Sequence, residues 1–149
     1  MEKILGCGSA VPTARHMTTA QLVNVHDKLF LVDCGEGTQT QIWKSGIKVT
    51  NMNHIFISHA HGDHFFGLLP LVASLNLMLG RTADLHPWVP IDLEETLRRD
   101  FEQFCCTPFQ VIMHPLDTTK QMVIYEDKGM KIEIIPLNHR VPCCGFLFS

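Results

Sequence analysis

The sequence predicts an α/β fold, of the kind in which strands and interspersed helices build one half of a layered sandwich. Short apolar segments bounded by turn residues are spread along the whole chain, which has 149 residues. Helical patterns separate several of these segments. A histidine-rich loop also directly follows a segment that is apolar throughout, which is typical of a strand buried on both faces.

The first half of the chain contains six predicted elements. Residues 3–7 form a short buried strand that runs into a Gly-Ser turn, and residues 21–25 and 29–33 form a hairpin around a polar turn. Residues 38–44 form a short helix that ends at Ser45-Gly46. Residues 54–58 form the buried strand, and residues 65–79 form a buried helix that ends at Gly80.

The second half begins with a helix near Asp92, where Asp92 and Glu95 have the spacing of a capping box. Its apolar side chains recur on one helical face. They are Leu93, Leu97, Phe101 and Phe104. Strands follow at residues 110–113, 121–126, 130–136 and 145–148, with a turn at 127–129. We find no repeat and no linker, so residues 1–149 are expected to belong to a single domain.

Composition supports a globular chain. Hydrophobic residues make up 46% and charged residues 18% of the sequence, which is enough apolar surface for one core. The longest apolar run, at residues 68–79, is interrupted by polar residues and is too short to span a bilayer. The first residues show no signal-peptide pattern. We therefore expect a cytoplasmic protein that does not contact a membrane.

The six cysteines are expected to be reduced. Two pairs are adjacent in sequence, Cys105-Cys106 and Cys143-Cys144, and adjacent cysteines rarely bridge each other. Cys143 and Cys144 lie close in sequence to His139 and could be read as thiolate ligands, but buried packing is the favoured interpretation.

The strongest signal is the segment Ser58-His59-Ala60-His61-Gly62-Asp63-His64. It places three imidazoles and one carboxylate within six residues, directly after a predicted strand. These are ligands that a catalytic zinc site uses, and a tight loop can direct several of them to one point. The competing interpretation is a solvated loop or a helix cap. That interpretation would be favoured for a lone histidine, but not for this cluster of four potential ligands.

This segment resembles the signature of the metallo-β-lactamase superfamily, and its surroundings resemble the ribonuclease Z family within it. The resemblance rests on four stretches that occur in the same order and spacing. They are residues 5–12 (LGCGSAVP), 33–39 (DCGEGTQ), 61–68 (HGDHFFGL) and 136–146 (PLNHRVPCCGF). It implies a four-layer αββα sandwich, of which this chain covers roughly the first αβ half, with the metals at one sheet edge.

The resemblance also assigns roles to individual residues. It implies that His59, His61 and His139 hold one zinc ion, and that Asp63 and His64 contribute to a second. Asp63 would also lie beside the reacting water and is the candidate proton acceptor. Asp33 is expected either to orient a ligand histidine or to cap the following turn. The other histidines are given no role; they are His16, His26, His54, His86 and His114.

The implied activity is zinc-dependent endonucleolytic removal of the 3′ trailer from precursor transfer RNA. Family members continue with a second half that supplies the remaining metal ligands and an arm that grips transfer RNA. We therefore expect this chain to be the amino-terminal part, with the carboxy-terminal half absent. The net charge of −3 includes no basic excess for nucleic acid, which fits an arm located elsewhere.

Two other functions stay open at the level of sequence. One is another hydrolase of the same fold, such as a phosphodiesterase, an arylsulfatase-like enzyme or a thioester hydrolase. The other is a catalytically dead fragment that binds metal. A half-sandwich would also expose an apolar sheet face, which predicts a homodimer or other self-association.

Overall fold

The computed structural model describes residues 1–149, apart from the side chains of Met78 and Leu79. Strands and helices alternate along the chain. In order, they are β1 Glu2–Gly6, β2 Ala20–Val25, β3 Lys28–Val32, α1 Thr38–Ser45, β4 Met52–Phe56, α2 Gly62–Phe65, α3 Leu68–Leu79, β5 His86–Pro90, α4 Ile91–Phe104, β6 His114–Leu116, β7 Met122–Glu126, β8 Lys131–Leu137 and β9 Cys143–Phe148.

The strands form two sheets. The larger sheet has the order β1-β2-β3-β4-β5-β6, antiparallel up to β3 and parallel from β3 onward. The smaller sheet is the antiparallel meander β7-β8-β9. Helix α1 packs on β1 and α3, and α4 packs on β5 and β6. The two sheets and the helix layer form three layers, the arrangement expected for the first part of an αββα sandwich.

Side-chain alternation along the central strands explains the layering. In β3, Leu29 and Leu31 face the core shared with the helices, whereas Phe30 faces the core between the two sheets. Strand β4 divides in the same way, with Ile55 on the helix side and Phe56 between the sheets. Both strands carry apolar side chains on both faces because both faces are covered.

The structure confirms the hairpin, the short helix ended by Gly46 and the three strands of the meander. Gly46 adopts the left-handed conformation with φ 69°, and its N–H donates to the Trp43 carbonyl. The predicted strand at residues 110–113 is wrong in position, since β6 begins at His114 and residue 111 makes only an isolated bridge. Strand β5 was not predicted, because its two prolines mask the strand pattern.

The predicted continuous helix 65–79 is interrupted between α2 and α3. The Gly67 N–H donates to the carbonyl oxygen of Cys34, which ties this point to the end of β3. A Cβ on Gly67 would lie 2.1 Å from the Gly35 oxygen, so the approach requires glycine. The break also places Pro70 in the first turn of α3, where its missing N–H costs nothing.

The predicted start of α4 is also corrected. The helix begins one residue earlier, after Pro90, and no side chain caps it, so Asp92 contributes through its charge in the first turn. Phe104 is 61% exposed and lies outside the apolar face formed by the other three predicted residues. No helix in the described part of the chain is long and apolar enough to cross a membrane.

Candidate metal centre

The predicted site residues meet where three chain segments leave the two sheets. The loop after β4 carries His59 and His61, helix α2 carries Asp63 and His64, and the loop between β8 and β9 carries His139. A backbone bridge pairs His59 with Cys143, and the Cys144 N–H donates to the Ser58 oxygen over 3.0 Å. These contacts join the larger sheet to the smaller one and bring residues distant in sequence to one place.

His59, His61 and His139 form the closest group of potential ligands. One ring nitrogen of each lies within 4.8 Å of the other two. The ring centroids of His59 and His61 are 4.8 Å apart, and those of His59 and His139 are also 4.8 Å apart. His59 is buried, whereas His139 is exposed, so the cluster opens to solvent on one side. Three imidazoles with one open side match the donor set of a catalytic zinc site.

Asp63 and His64 lie beside this cluster. The ring centroids of His59 and His64 are 4.0 Å apart, and His64 Nε2 lies 3.6 Å from Asp63 Oδ2. Asp63 Oδ2 also accepts a hydrogen bond from the backbone N–H of Ala10 over 3.0 Å. Burial alone would raise the pKa of Asp63, but this bond and the electrostatic effect of the neighbouring His64 lower it below its usual value. The carboxylate is therefore ionised and fixed in direction.

Asp33 contacts His64 directly and reaches His59 through Ser58. Its Oδ2 accepts from His64 Nδ1 over 2.8 Å and from the Ser58 hydroxyl over 3.0 Å, and its Oδ1 accepts from the Ser58 N–H over 2.8 Å. Asp33 has φ 58°, an uncommon backbone conformation for a residue with a side chain. Of the two interpretations of Asp33, the geometry matches the one in which it orients a ligand histidine.

Ser58 extends the same network to the buried histidine, a contact that sequence reasoning missed. Its Oγ lies 3.0 Å from His59 Nδ1 while it donates to Asp33. In this network the Nδ1 atom of His59 and the Nδ1 atom of His64 each carry a proton. The Nε2 atom of each ring is then unprotonated and free to accept. The only signal in the sequence was the position of Ser58 between the strand and the motif.

Electrostatics keep His59 neutral. Burial, followed by the neighbouring charge of His64, lowers the pKa of His59 to about 4. For His64, burial lowers the pKa, but the hydrogen bond and charge of Asp33 outweigh it, so the net shift is upward. Metal ligands must be unprotonated at the binding nitrogen, and His59 meets this condition at neutral pH.

The cysteines near the cluster behave as packing residues. Cys143 and Cys144 are both buried, and Cys143 Sγ lies 3.6 Å from His59 Nδ1, the nitrogen that faces the Asp33 network. Burial raises the pKa of Cys143 and raises that of Cys144 to about 12, so both thiols stay protonated. A protonated thiol on the Nδ1 side of the ring agrees with the favoured packing interpretation.

The chain is similar to one protein family and to several curated proteins. A family model described as "Anti-Pycsar protein Apyc1" matches residues 3–149. A protein named ribonuclease Z from Bacteroides fragilis is 56% identical over 147 residues, which cover 98% of this chain and 48% of that protein. The chain thus spans about half the length of the curated relatives that it matches.

Solved structures share the fold. The short form of human tRNase Z superposes with a TM-score of 0.88 and 29% sequence identity, covering 100% of this chain and 65% of that one. The metallo-β-lactamase fold protein YhfI from Bacillus subtilis has a TM-score of 0.76 at 18% identity, covering 99% of this chain and 58% of that one. The second similarity concerns the fold alone.

Proposed function

Because the chain belongs to the family described as Anti-Pycsar protein Apyc1 and its curated relatives are named ribonuclease Z, we propose that it carries the amino-terminal part of a zinc-dependent endoribonuclease. The substrate of the whole enzyme is precursor transfer RNA, and the reaction removes the 3′ trailer to leave a 3′-hydroxyl. The observation that carries this proposal is the convergence of His59, His61 and His139 beside the Asp63–His64 pair.

The first zinc ion is held by His59, His61 and His139. His64 and Asp63 are the donors for a second ion, and polypeptide beyond this match supplies the rest, since the relatives are about twice as long as the matched region. When bound, such ions polarise a water molecule and neutralise charge on the phosphate.

The chain's own residues prepare this chemistry in two ways. Asp63, held by the Ala10 N–H and ionised, accepts the proton of the attacking water. Asp33 and Ser58 hold the Nδ1 atoms of His59 and His64, so that the Nε2 atom of each ring is directed away from this network. Both roles depend on hydrogen bonds at or below 3.0 Å.

The test uses this chain joined to, or mixed with, the carboxy-terminal half of the Bacteroides fragilis ribonuclease Z. We expect cleavage of precursor transfer RNA at the trailer junction, and loss of that cleavage in Asp63→Asn. Small phosphodiesters, aryl sulfates and thioesters are assayed in parallel. Faster turnover of one of these esters than of the precursor would support another hydrolase of this fold. No turnover of any substrate by the completed protein would support the metal-binding fragment.

We place the protein in the cytoplasm as part of this proposal. All six cysteines are free, including the adjacent pairs, as expected in a reducing compartment. Detection of a disulfide in protein purified from its natural source under thiol-blocking conditions would contradict this placement.

We also propose that the isolated chain self-associates as a homodimer through the outer face of the smaller sheet. The outward register of β7, β8 and β9 carries the Lys131–Glu133 ion pair and, around it, four exposed apolar side chains. They are Val123 at 42%, Ile135 at 36%, Leu137 at 53% and Leu147 at 43% exposure. Exposed apolar side chains grouped around an ion pair in this way mark an interaction surface.

A further inference from the structure

Three histidines without an assigned role meet between the two sheets, at the end of the larger sheet opposite the candidate metal centre. His54, His86 and His114 belong to β4, β5 and β6, and His54 is paired in register with His86. His54 lies within β4, whereas His59 lies three residues beyond the end of that strand, so the two groups are at different places along the sheet. This second group shares no residue with the metal centre.

His86 and His114 approach each other through ring nitrogens. His86 Nδ1 lies 2.8 Å from His114 Nε2, which is an N–H···N hydrogen bond with one proton between two imidazoles. Both residues are half-buried, so the pair is reachable from solvent. Burial and the neighbouring His86 lower the pKa of His114, which keeps its imidazole neutral at physiological pH. A neutral imidazole is a ligand for borderline transition metals.

Aromatic neighbours hold both rings by their faces and leave their edges free. Trp88 stacks on His114 with centroids 4.0 Å apart and planes inclined by 12°. His54 stacks on His86 with centroids 5.0 Å apart. The Nδ1 atom of His54 accepts from Trp88 Nε1 over 3.1 Å, so that nitrogen is not available as a ligand. The two nitrogen atoms that approach each other are therefore His86 Nδ1 and His114 Nε2.

We propose that His86 Nδ1 and His114 Nε2 form a second site for a first-row divalent transition-metal ion, which completes its coordination with water; the proton of the present hydrogen bond moves to the other nitrogen of its own ring by exchange with water, so both ligands are neutral imidazoles. Two imidazole nitrogens bound to one ion at about 2.0–2.1 Å lie roughly 3.0–3.4 Å apart. Because the rings face each other end to end, with centroids 5.1 Å apart, binding requires a separation of a few tenths of an ångström and a tilt of each ring toward the ion. That movement needs side-chain rotation and leaves the strands in place.

Trp88 makes the site measurable, because it lies against one of the ligands. The parent for the test is Trp43→Phe/His61→Ala/His139→Ala, in which Trp88 is the remaining tryptophan and two ligands of the metal centre are gone. Ni²⁺ is the probe, since it binds imidazole and does not oxidise the free thiols. We expect saturable quenching of Trp88 fluorescence in the parent and loss of that quenching in His86→Ala, which leaves the Trp88–His114 stack in place.

The matched control is His26→Asn, which removes an exposed histidine from the β2–β3 turn and should keep the quenching. Undiminished quenching in His86→Ala, or its absence in the parent, would overturn the proposal. If His86→Ala does not fold, imidazole-nitrogen NMR of the parent decides. Ni²⁺ must broaden the His86 and His114 ring signals before those of His16 and His26, and the reverse order would contradict the site.

Discussion

Asp33 connects more of the candidate metal centre than any other carboxylate described above. It accepts hydrogen bonds from His64, from the Ser58 hydroxyl and from the Ser58 N–H, and through Ser58 it acts on His59. Its left-handed backbone turns the carboxylate back toward the end of β4. Backbone strain that persists at such a point is typical of a functional constraint. Asp33 is therefore a positioning residue for both histidines.

The change Asp33→Asn tests this role. An amide replaces one acceptor oxygen with a donor, so the side chain loses either the bonds that Oδ2 accepts from His64 and the Ser58 hydroxyl or the bond that Oδ1 accepts from the Ser58 N–H. We expect zinc affinity to fall about ten- to a hundredfold, the usual effect of losing an outer hydrogen bond to a ligand histidine. Competition with a chromophoric chelator measures the affinity. Asp27→Asn is the control, because Asp27 has a similar φ of 61° on an exposed turn. Equal zinc affinity in the two variants would refute the positioning role.

His54 predicts a pH dependence of folding. Burial, then the charges of His86 and His114, lower the pKa of His54 to about 4, from 6.5 in the unfolded chain. As the pH falls below 6.5, the unfolded state takes up a proton that the folded state does not bind. The free energy of unfolding therefore decreases through this window.

Urea unfolding of the metal-free protein at about pH 7 and about pH 5 measures the effect, because these values bracket the ordinary histidine pKa. The variant His54→Gln keeps an acceptor for Trp88 and removes the titrating group, so it should lose less stability on acidification. His26→Gln, at an exposed site, should behave as the wild type does. An unchanged loss in His54→Gln would exclude His54 as a source of the acid sensitivity.

At the scale of elements, the metal loop is positioned by close backbone packing. A Cβ on Gly35 would lie 2.2 Å from Thr18 Oγ1 and 2.4 Å from the Asp63 oxygen. The segment after β3 and the loop after β4 are thus in contact through a position that admits no side chain. The sequence pattern DCGEGTQ and the histidine motif are two halves of one packed unit.

We expect Gly35→Ala to lower the free energy of unfolding by about 1–3 kcal/mol or more, as overpacking in a rigid core does. Displacement of the Asp63 backbone should also weaken zinc binding. Gly129→Ala is the matched control, since its added Cβ meets ordinary contacts at 3.7 Å. Chemical denaturation of both variants measures the difference. Equal stability of the two variants would show that the loops do not pack as described.

Local sequence patterns were sufficient to predict several strands and the end of one helix. Alternation and turn residues identified the β2–β3 hairpin and the meander, and Gly46 marked the end of α1. The break before α3 was not predictable locally, because it depends on a hydrogen bond from Gly67 to Cys34. Strand β5 was missed because prolines stand at two of its five positions.

The candidate site also contains some residues that local sequence predicts and others that depend on tertiary contacts. The four residues in the tight motif were predicted from spacing, whereas His139 was carried only by the family resemblance. Its approach to His59 depends on how the smaller sheet pairs with the end of β4. The roles of Ser58 and of the Ala10 N–H depend on tertiary contacts that leave no spacing signal.

At the scale of the whole molecule, the outer face of the smaller sheet predicts self-association. We expect Leu147→Glu to shift the isolated chain toward monomer in light scattering, because it places a second carboxylate opposite Glu133 and so opposes burial of the face. Phe104→Glu removes an exposed apolar side chain at the end of α4 and should leave the oligomeric state unchanged. A monodisperse wild-type monomer at working concentration would contradict the proposed dimer.

The most direct test of the central claim is zinc content per chain, measured by elemental analysis after dialysis against trace zinc. The account predicts that the wild type retains zinc and that His61→Ala/His139→Ala retains at least one ion fewer per chain, while His16→Ala/His26→Asn matches the wild type. Zinc content that is equal in the wild type and the His61/His139 variant would contradict the claim that His59, His61 and His139 form a metal centre.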